Sequence, residues 1–468
     1  MTMGRVMLGV CGALIGATVA ARQAPAAFTP FADVRPILLN LREALWPAAL
    51  RGLAPAAIEA AWPRWAGERD REVRERVAAG DEDTIINLLQ FGTSFTRQPR
   101  ITEERLAGVM LRAAGSQATT FVPSPLLDAR IADFVRAVAS PGSDERLLLA
   151  RRVLDRRGLD PTTDEGRARV RRYLQERTSV VGSAVHAPTL HDPNTGLAEQ
   201  LTIFHDRGLA SDTLLWINFA IDRALAEMAA AGALGAGTVR RAAIVGPGLD
   251  VTDKQEGHDF YPLQTIQPFA LLDSLSRTGL AAPGGVEVTA LDLSPAVLDH
   301  LERARTRAGG GQPYTVTLPR NLDQTWTPDL ATYWEGFGSR AGREVPAAPP
   351  PANAGRVAVR SVAFPANLVL AVRPRDLNIV VQRTAGEPFD LVVATNILLY
   401  YDVFEQSLAA ANIAAMLRPG GLLLSNDRIF ELPDGPLASA GQTRATYLET
   451  PGGPRGDRIE WYRSRRAQ

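Results

Sequence analysis

Four groups of residues have types and spacing suited to holding a small polar ligand. The first is Gly246-Pro247-Gly248, which follows the apolar run Ala242 to Val245. Glycines there give free φ and leave out a Cβ where a ligand touches backbone. The second is Asp292-Leu293, at the end of the β-rich run from Val286; a carboxylate at a strand tip can accept both hydroxyls of a ribose. The third is Asn396, the polar end of the run that starts at Phe389. The fourth is the polar, aromatic stretch Asp250 to Gln264. It carries Lys254, the sole lysine among 51 Lys and Arg, with His258, Asp259 and Tyr261. Lysine and arginine are not equivalent at a compact site, and His and Tyr add acid–base capacity. The competing account of these side chains is that they anchor the loop by hydrogen bonds.

Positioning these groups requires an α/β framework. The apolar runs read as buried parallel strands, each ending in a polar residue or a glycine turn. Ser294-Pro295 starts a helix, serine as N-cap and proline at N1. Asp402-Val-Phe-Glu405 is a capping-box pattern for a helix over Val403 to Leu417, which ends before Gly420-Gly421 and another strand. Thr443 to Glu449 and Arg458 to Arg463 flank a Pro/Gly turn and read as a hairpin. In open α/β sheets, ligands sit at the carboxyl ends of strands, beside a topological switch point.

The rest of the chain reads as helices, short strands and connectors. Apolar spacing predicts helices over Asp33 to Leu45, Asp81 to Phe95, Thr102 to Ala114, Pro125 to Ala139, Ser143 to Arg157 and Ser211 to Ala231. After the loop at 250–264 a helix is expected over Thr265 to Leu275. Between 309 and 355 the spacing predicts a strand at Tyr314 to Leu318, a helix over Pro328 to Gly336 and a Pro-rich connector. Arg356 to Phe364 and Leu368 to Arg373 read as strands, and Asp376-Leu377-Asn378 closes the second. The arginine-rich stretches read as solvated faces. His186, His191 and His205 cluster, but their spacing fits no metal-ligand pattern, and a polar loop accounts for them.

Gly246-x-Gly248, Asp292, Phe389-Asp-Leu-Val-Val and Leu417-Arg-Pro-Gly-Gly-Leu-Leu-Leu, in this order, resemble the class I S-adenosylmethionine-dependent methyltransferases. The likeness covers Ala242 to the C-terminus. The stretch Phe389 to Asp402 is especially similar to the chemotaxis receptor methyltransferases, which also carry a small helical domain ahead of the catalytic one. The resemblance implies a Rossmann-like, mostly parallel sheet closed by a C-terminal antiparallel hairpin, preceded by an all-α domain. It implies S-adenosyl-L-methionine as cofactor, with Gly246, Pro247, Gly248, Asp292 and Leu293 around it and Asp376, Leu377 or Asn378 at the adenine. Asn396 would contact cofactor and orient the acceptor, with Tyr400 and Tyr401 as walls.

Two positions depart from the family. Ile244 stands where an acid is frequent, and Asp250 replaces the third glycine, so Asp250 or Asp253 would take the methionine ammonium group. Lys254, His258 and Tyr261 would act on the cofactor tail or the acceptor. A dinucleotide site is disfavoured. It needs a glycine at Val251 and an acid about 20 residues after the loop, and Asp292 is more than twice that far from Gly248. The alternative from another class is a binding module that keeps the fold and has lost transfer.

The chain has 468 residues and no net charge, which predicts two or three domains and gives no electrostatic reason to hold nucleic acid or anionic membrane. One cysteine, Cys11, excludes a disulfide framework and argues against a Cys/His metal site. Arg5, the apolar run Val6 to Ala20 and the small residues before Arg22 form a secretory-signal pattern or an N-terminal anchor over residues 1–27. Export is therefore expected, which conflicts with a cofactor made in the cytosol. The expected domains are a helical one over 28–195 and a methyltransferase-like one over 196–468, with insertions at about 250–264 and 309–355. The acceptor, small molecule or protein, is not legible.

Overall fold

The computed structural model describes residues 26–101, 125–185, 208–209, 215–252, 258–433, 435–450 and 453–465. Residues 1–25 of the expected targeting segment, the helix expected from Thr102, the histidine stretch and Lys254 lie outside them. The first half of the chain gives β1 (Ala26–Phe28), α1 (Phe31–Asn40), α2 (Pro55–Phe91), α3 (Pro125–Ala139), α4 (Glu145–Arg156), α5 (Asp164–Val185) and α6 (Leu215–Ala230). Then follow β2 (Arg241–Val245), α7 (Gln267–Arg277), β3 (Glu287–Asp292), α8 (Pro295–Gly309), β4 (Tyr314–Asn321), α9 (Pro328–Gly336), β5 (Arg343–Val345) and β6 (Val357–Phe364). The last elements are α10 (Ala366–Ala371), β7 (Val372–Asp376), β8 (Gln382–Thr384), β9 (Phe389–Ala394), α11 (Val403–Met416), β10 (Leu417–Ser425), β11 (Leu437–Thr450) and β12 (Gly453–Ser464).

The central sheet runs β11-β12-β10-β9-β2-β3-β7. Its five strands from β10 to β7 are parallel, and β12 and β11 close it antiparallel. The inner strands are apolar throughout because helices cover both faces. Ala242, Ile244, Val288, Ala290, Leu391 and Val393 point to one core, with α6, α7 and α8. Their neighbours Ala243, Val245, Leu291, Val392 and Ala394 point to the other, with α1 and α11. The excursion after α8 forms a separate antiparallel sheet, β4-β6-β5.

Helix α2 departs most from the sequence expectation. A helix was expected only from Asp81, but α2 starts at Pro55 and is 37 residues long. Ile58, Trp62, Ala66, Val73 and Val77 complete the core on the sheet's second face. Ile85, Ile86, Leu88 and Leu89 belong to a different core, shared with α3, α4 and α5. A second departure is at Leu368 to Arg373, expected as strand. Pro365 is the N-cap of α10 there, α10 packs on α8, and the strand starts only at Val372.

Arginines fasten α2 to the sheet domain. Arg69 donates to the buried Glu405 carboxylate of α11. Arg74 makes a two-pronged pair with Asp376, at 3.0 and 2.8 Å. Arg76 donates to the Tyr400 carbonyl at 2.7 Å. Burial pushes the Glu405 pKa up, the Asp402 charge adds to this, and Arg69 opposes it. Removing one partner of such a pair leaves a buried charge uncompensated. Arg69→Met should therefore cost about 3 kcal/mol in urea unfolding at neutral pH. Glu405 would then bind a proton in the folded state that it lacks when unfolded, so stability falls as pH rises. The loss should be larger at pH 8 than at pH 4; an equal loss at both would contradict the pairing.

Candidate functional site

The strand order reverses beside β2: the chain builds β3 and β7 on one side, then β9 and β10 on the other. At that point the carboxyl ends of β2, β3 and β9 open into a cleft. Val245, Gly246 and Gly248 line it after β2, and Asp292, Leu293 and Ser294 after β3. Leu377 and Ile379 follow β7, and Thr395, Asn396, Ile397, Tyr400 and Tyr401 follow β9.

The turn after β2 depends on its glycines. Gly246 and Gly248 have φ of 69° and 67°, in the left-handed region, with the buried Pro247 between them. A Cβ on Gly246 would lie 2.3 Å from Ile397 Cδ1. Asn396 is the one non-glycine residue with positive φ (58°) among the described residues. Asparagine tolerates this conformation better than most residues. Its N–H donates to Asn426 Oδ1 at 2.8 Å, and Asn426 Nδ2 donates back to Asn396 Oδ1 at 2.7 Å. Asp427 accepts the N–H groups of Leu398 and Leu399, holding the turn that carries the two tyrosines. Burial pushes the Asp427 pKa up to about 6 against those donors.

Asp292 is the one carboxylate lining the cleft among the described residues. Burial pushes its pKa up to about 6, and the neighbouring Asp376 charge adds to this. The N–H groups of Ser294, Leu293 and Gly248 oppose the shift, the first at 2.8 Å. Asp292 is thus tied to the glycine turn of the adjacent strand.

Other expected site residues face elsewhere. Asp376 pairs with Arg74 and is half exposed, and the buried Asn378 donates to Asp70 at 3.0 Å; neither lines the cleft, where their neighbour Leu377 does. The reason is α2: its Asp70 and Arg74 occupy those polar groups. Asp250 accepts from Tyr261 and Gln264, both at 2.8 Å, rather than facing the cleft. Arg146 of α4 donates to the carbonyls of Asp250, Val251 and Tyr261. Asp259 accepts four hydrogen bonds from Thr93 and Ser94. His258 is buried beside Phe260; burial, with the charge of Arg100, lowers its pKa to about 4, so its ring is neutral at pH 7. The described part of this loop fastens the helical region to the sheet domain.

Sequence reasoning missed Val77, Leu209, Ile217, Gln267, Ile379 and Thr395. Gln267 heads α7 and donates to Thr395 Oγ1 at 2.9 Å. Leu209 is fixed by its N–H bond to the Arg76 carbonyl at 2.9 Å. A Cβ on Gly80 would lie 1.9 Å from the Leu209 carbonyl oxygen, so this crossing needs a glycine inside α2. That helix-interior glycine was the available signal.

Parallel strands in the doubly wound order, a cleft at the reversal and a closing antiparallel hairpin are now together. The domain has the class I methyltransferase fold. No protein-family model and no curated protein matches the chain. Among solved structures it is similar to the N-methyltransferase NodS of Bradyrhizobium japonicum with S-adenosyl-L-homocysteine, at 12% identity and TM-score 0.26, over 53% of this chain and 86% of that one. It is also similar to the magnesium protoporphyrin IX methyltransferase ChlM of Synechocystis with bound SAM, at 9% identity and TM-score 0.26, over 59% and 88%. A third is the glycopeptide N-methyltransferase MtfA with sinefungin, at 13% identity and TM-score 0.27, over 56% and 91%. The strand order of this chain, not these overlaps, carries the fold.

Left-handed φ costs a non-glycine residue about 1–2 kcal/mol. Gly246→Ala should lower stability by at least that much, because Ile397 must also move. Chemical denaturation of the purified variant checks this, and unchanged stability would contradict the turn geometry.

Proposed function

We propose that the cleft binds S-adenosyl-L-methionine and that the chain transfers its methyl group to an acceptor, a small molecule or a protein. The observation that carries this is the convergence of Gly246, Gly248, Asp292 and Asn396 at one switch point. The residues fit the cofactor. A carboxylate bonded to the adjacent glycine turn suits a ribose, and the apolar Leu377 and Ile379 suit the faces of a base. The left-handed glycines let an amino-acid tail approach the backbone.

When bound, the cofactor supplies an electrophilic methyl carbon on a sulfonium. Asp292 accepts the ribose hydroxyls, and Asn396, on its strained turn, orients the acceptor. Val77, Leu209 and Ile217 form an apolar wall that keeps water out, and the tyrosine turn borders the acceptor side. A carboxylate acceptor needs no base; an amine or hydroxyl acceptor does.

One observation favours a second reading, a binding module without transfer. Asp250, His258 and Tyr261 are taken up by the scaffold, away from the cleft. Tight S-adenosylhomocysteine binding with no methyl transfer to any acceptor tried would favour it.

The pH dependence of binding tests Asp292. Its carboxylate form accepts the ribose hydroxyls, and its pKa in the free protein is about 6. S-adenosylhomocysteine affinity should fall as pH drops from 7 to 5. Asp292→Asn should bind more than tenfold more weakly at pH 7, as hydrogen bonds to charged groups are worth about 1.5–3 kcal/mol, and should lose the pH dependence. Calorimetry showing full affinity in the folded variant would remove Asp292 from the site.

A further inference from the structure

The excursion after α8 carries an arrangement that the cleft does not use. On β4, Tyr314, Val316 and Leu318 alternate into the core. Arg320 is next in that alternation, so a cation stands where the buried face would take an apolar residue. It is half-buried, with its Nε inside and without a hydrogen-bond partner. Two indoles hold it: its guanidinium carbon lies 5.1 Å from the Trp326 ring centre and 5.7 Å from that of Trp334. Both indoles are buried, and both are fixed by other contacts. Trp334 Nε1 donates to the Leu318 carbonyl at 3.1 Å, and the Trp326 backbone pairs with Leu448 of β11.

Arg360 shows what such a setting does for a guanidinium. It lies over the same Trp334 ring, at 5.4 Å, and donates to the Trp334 carbonyl and to the Glu344 carboxylate, the latter at 2.9 Å. Arg320 has the rings and no carboxylate. Among the described residues it makes no hydrogen bond or ion pair. Asp323, Asp329 and Glu344 of the same excursion pair with Arg356, Arg223 and Arg360 instead. A ring attracts the charge of a cation without accepting its N–H groups as a carboxylate does, so the Nη donors of Arg320 are left for an anion. Arginine presents those donors as a planar fork that matches a carboxylate with two parallel bonds. The position is on the cleft side of the sheet. Thr317, about 10 Å back along β4, exchanges hydrogen bonds of 2.7 and 2.8 Å with Gln264, which shortly precedes the cleft-lining Gln267.

We infer that Arg320, held by Trp326 and Trp334, is a carboxylate-binding site at the cleft end of the excursion. Its ligand is an acidic group from outside the chain, borne by a small organic acid or by the side chains of an acidic polypeptide. The inference does not depend on the cofactor reading.

Propionate and hexaglutamate test this on the full chain at constant ionic strength, read by the indole N–H signals of a nitrogen-15-labelled sample. Trp326→Phe and Trp334→Phe assign the two signals. Both should shift with added ligand and saturate together. Arg320→Gln should weaken binding at least tenfold, about the size of one hydrogen bond to a charged group. Arg320→Lys keeps a cation over the rings and loses the fork, so it should also bind more weakly, and it serves where the glutamine variant does not fold. Hexaglutamate binding beyond the sum of its carboxylates assigns the ligand to an acidic polypeptide; binding that its carboxylates account for assigns a small acid. Three results would overturn the inference. One is no saturable shift at either indole with either probe. Another is a shift that persists at full affinity in the folded Arg320 variants, which places the binding elsewhere. The third is inorganic phosphate binding more tightly than propionate, which removes the carboxylate assignment.

Discussion

The double burial of α2 is the constraint on which the other parts depend. Its first half fills the core on one face of the sheet, and its second half fills the core of the helical region. A residue rotated or shifted in one half moves the apolar stripe of the other, because the helix transmits the displacement along its length. Three arginines, Arg69, Arg74 and Arg76, then fix α2 to α11, to the end of β7 and to the tyrosine turn. Val77 reaches the cleft between the two cores, and Gly80 lets the Leu209 segment cross close enough to join it. The cleft wall is thus made by a helix that cannot move without unpacking two cores.

At the cleft itself the sheet concentrates what is costly elsewhere. Gly246, Gly248 and Asn396 are left-handed, and two carboxylates, Asp292 and Asp427, are buried enough to be pushed up to about 6. Each is compensated by backbone N–H groups at the ends of parallel strands, where the ladder stops and donors are left over. Asp427 spends its acceptors on the turn after Asn396. Asp292 keeps a face toward the cleft, which separates a structural carboxylate from one that can meet a ligand.

Much of this architecture was legible in the sequence, because burial on both faces of a parallel sheet leaves apolar runs that few other environments produce. β2, β3, β9 and β10, the capping box at Asp402 and the hairpin all occupy their expected stretches. The fold of the last half followed from them. The first half of α2 did not, although Ile58, Trp62, Ala66, Val73 and Val77 recur at helical spacing. The run between them is charge-rich and contains Pro63, and its apolar stripe is narrow because its arginines are themselves at the interface. The polar loop at 250–264 was misleading for a related reason. Asp, His and Tyr suit a binding site, but here Asp259 accepts the Thr93 and Ser94 N–H groups, Tyr261 donates to Asp250 and to the His258 carbonyl, and the His258 ring is buried, a demand that only the tertiary structure reveals. Asp376 and Asn378 point away from the cleft because α2 supplies partners from outside their own strand.

Amide hydrogen exchange with and without S-adenosylhomocysteine tests the central claim most directly, because it reads every element of the cleft at once. The account predicts new protection confined to the turns after β2, β3 and β9 and to the stretch of α2 around Val77. Elsewhere exchange should stay as it was, including in the loop that joins the two cores. Protection absent from these turns, or appearing mainly at 258–264, would contradict it.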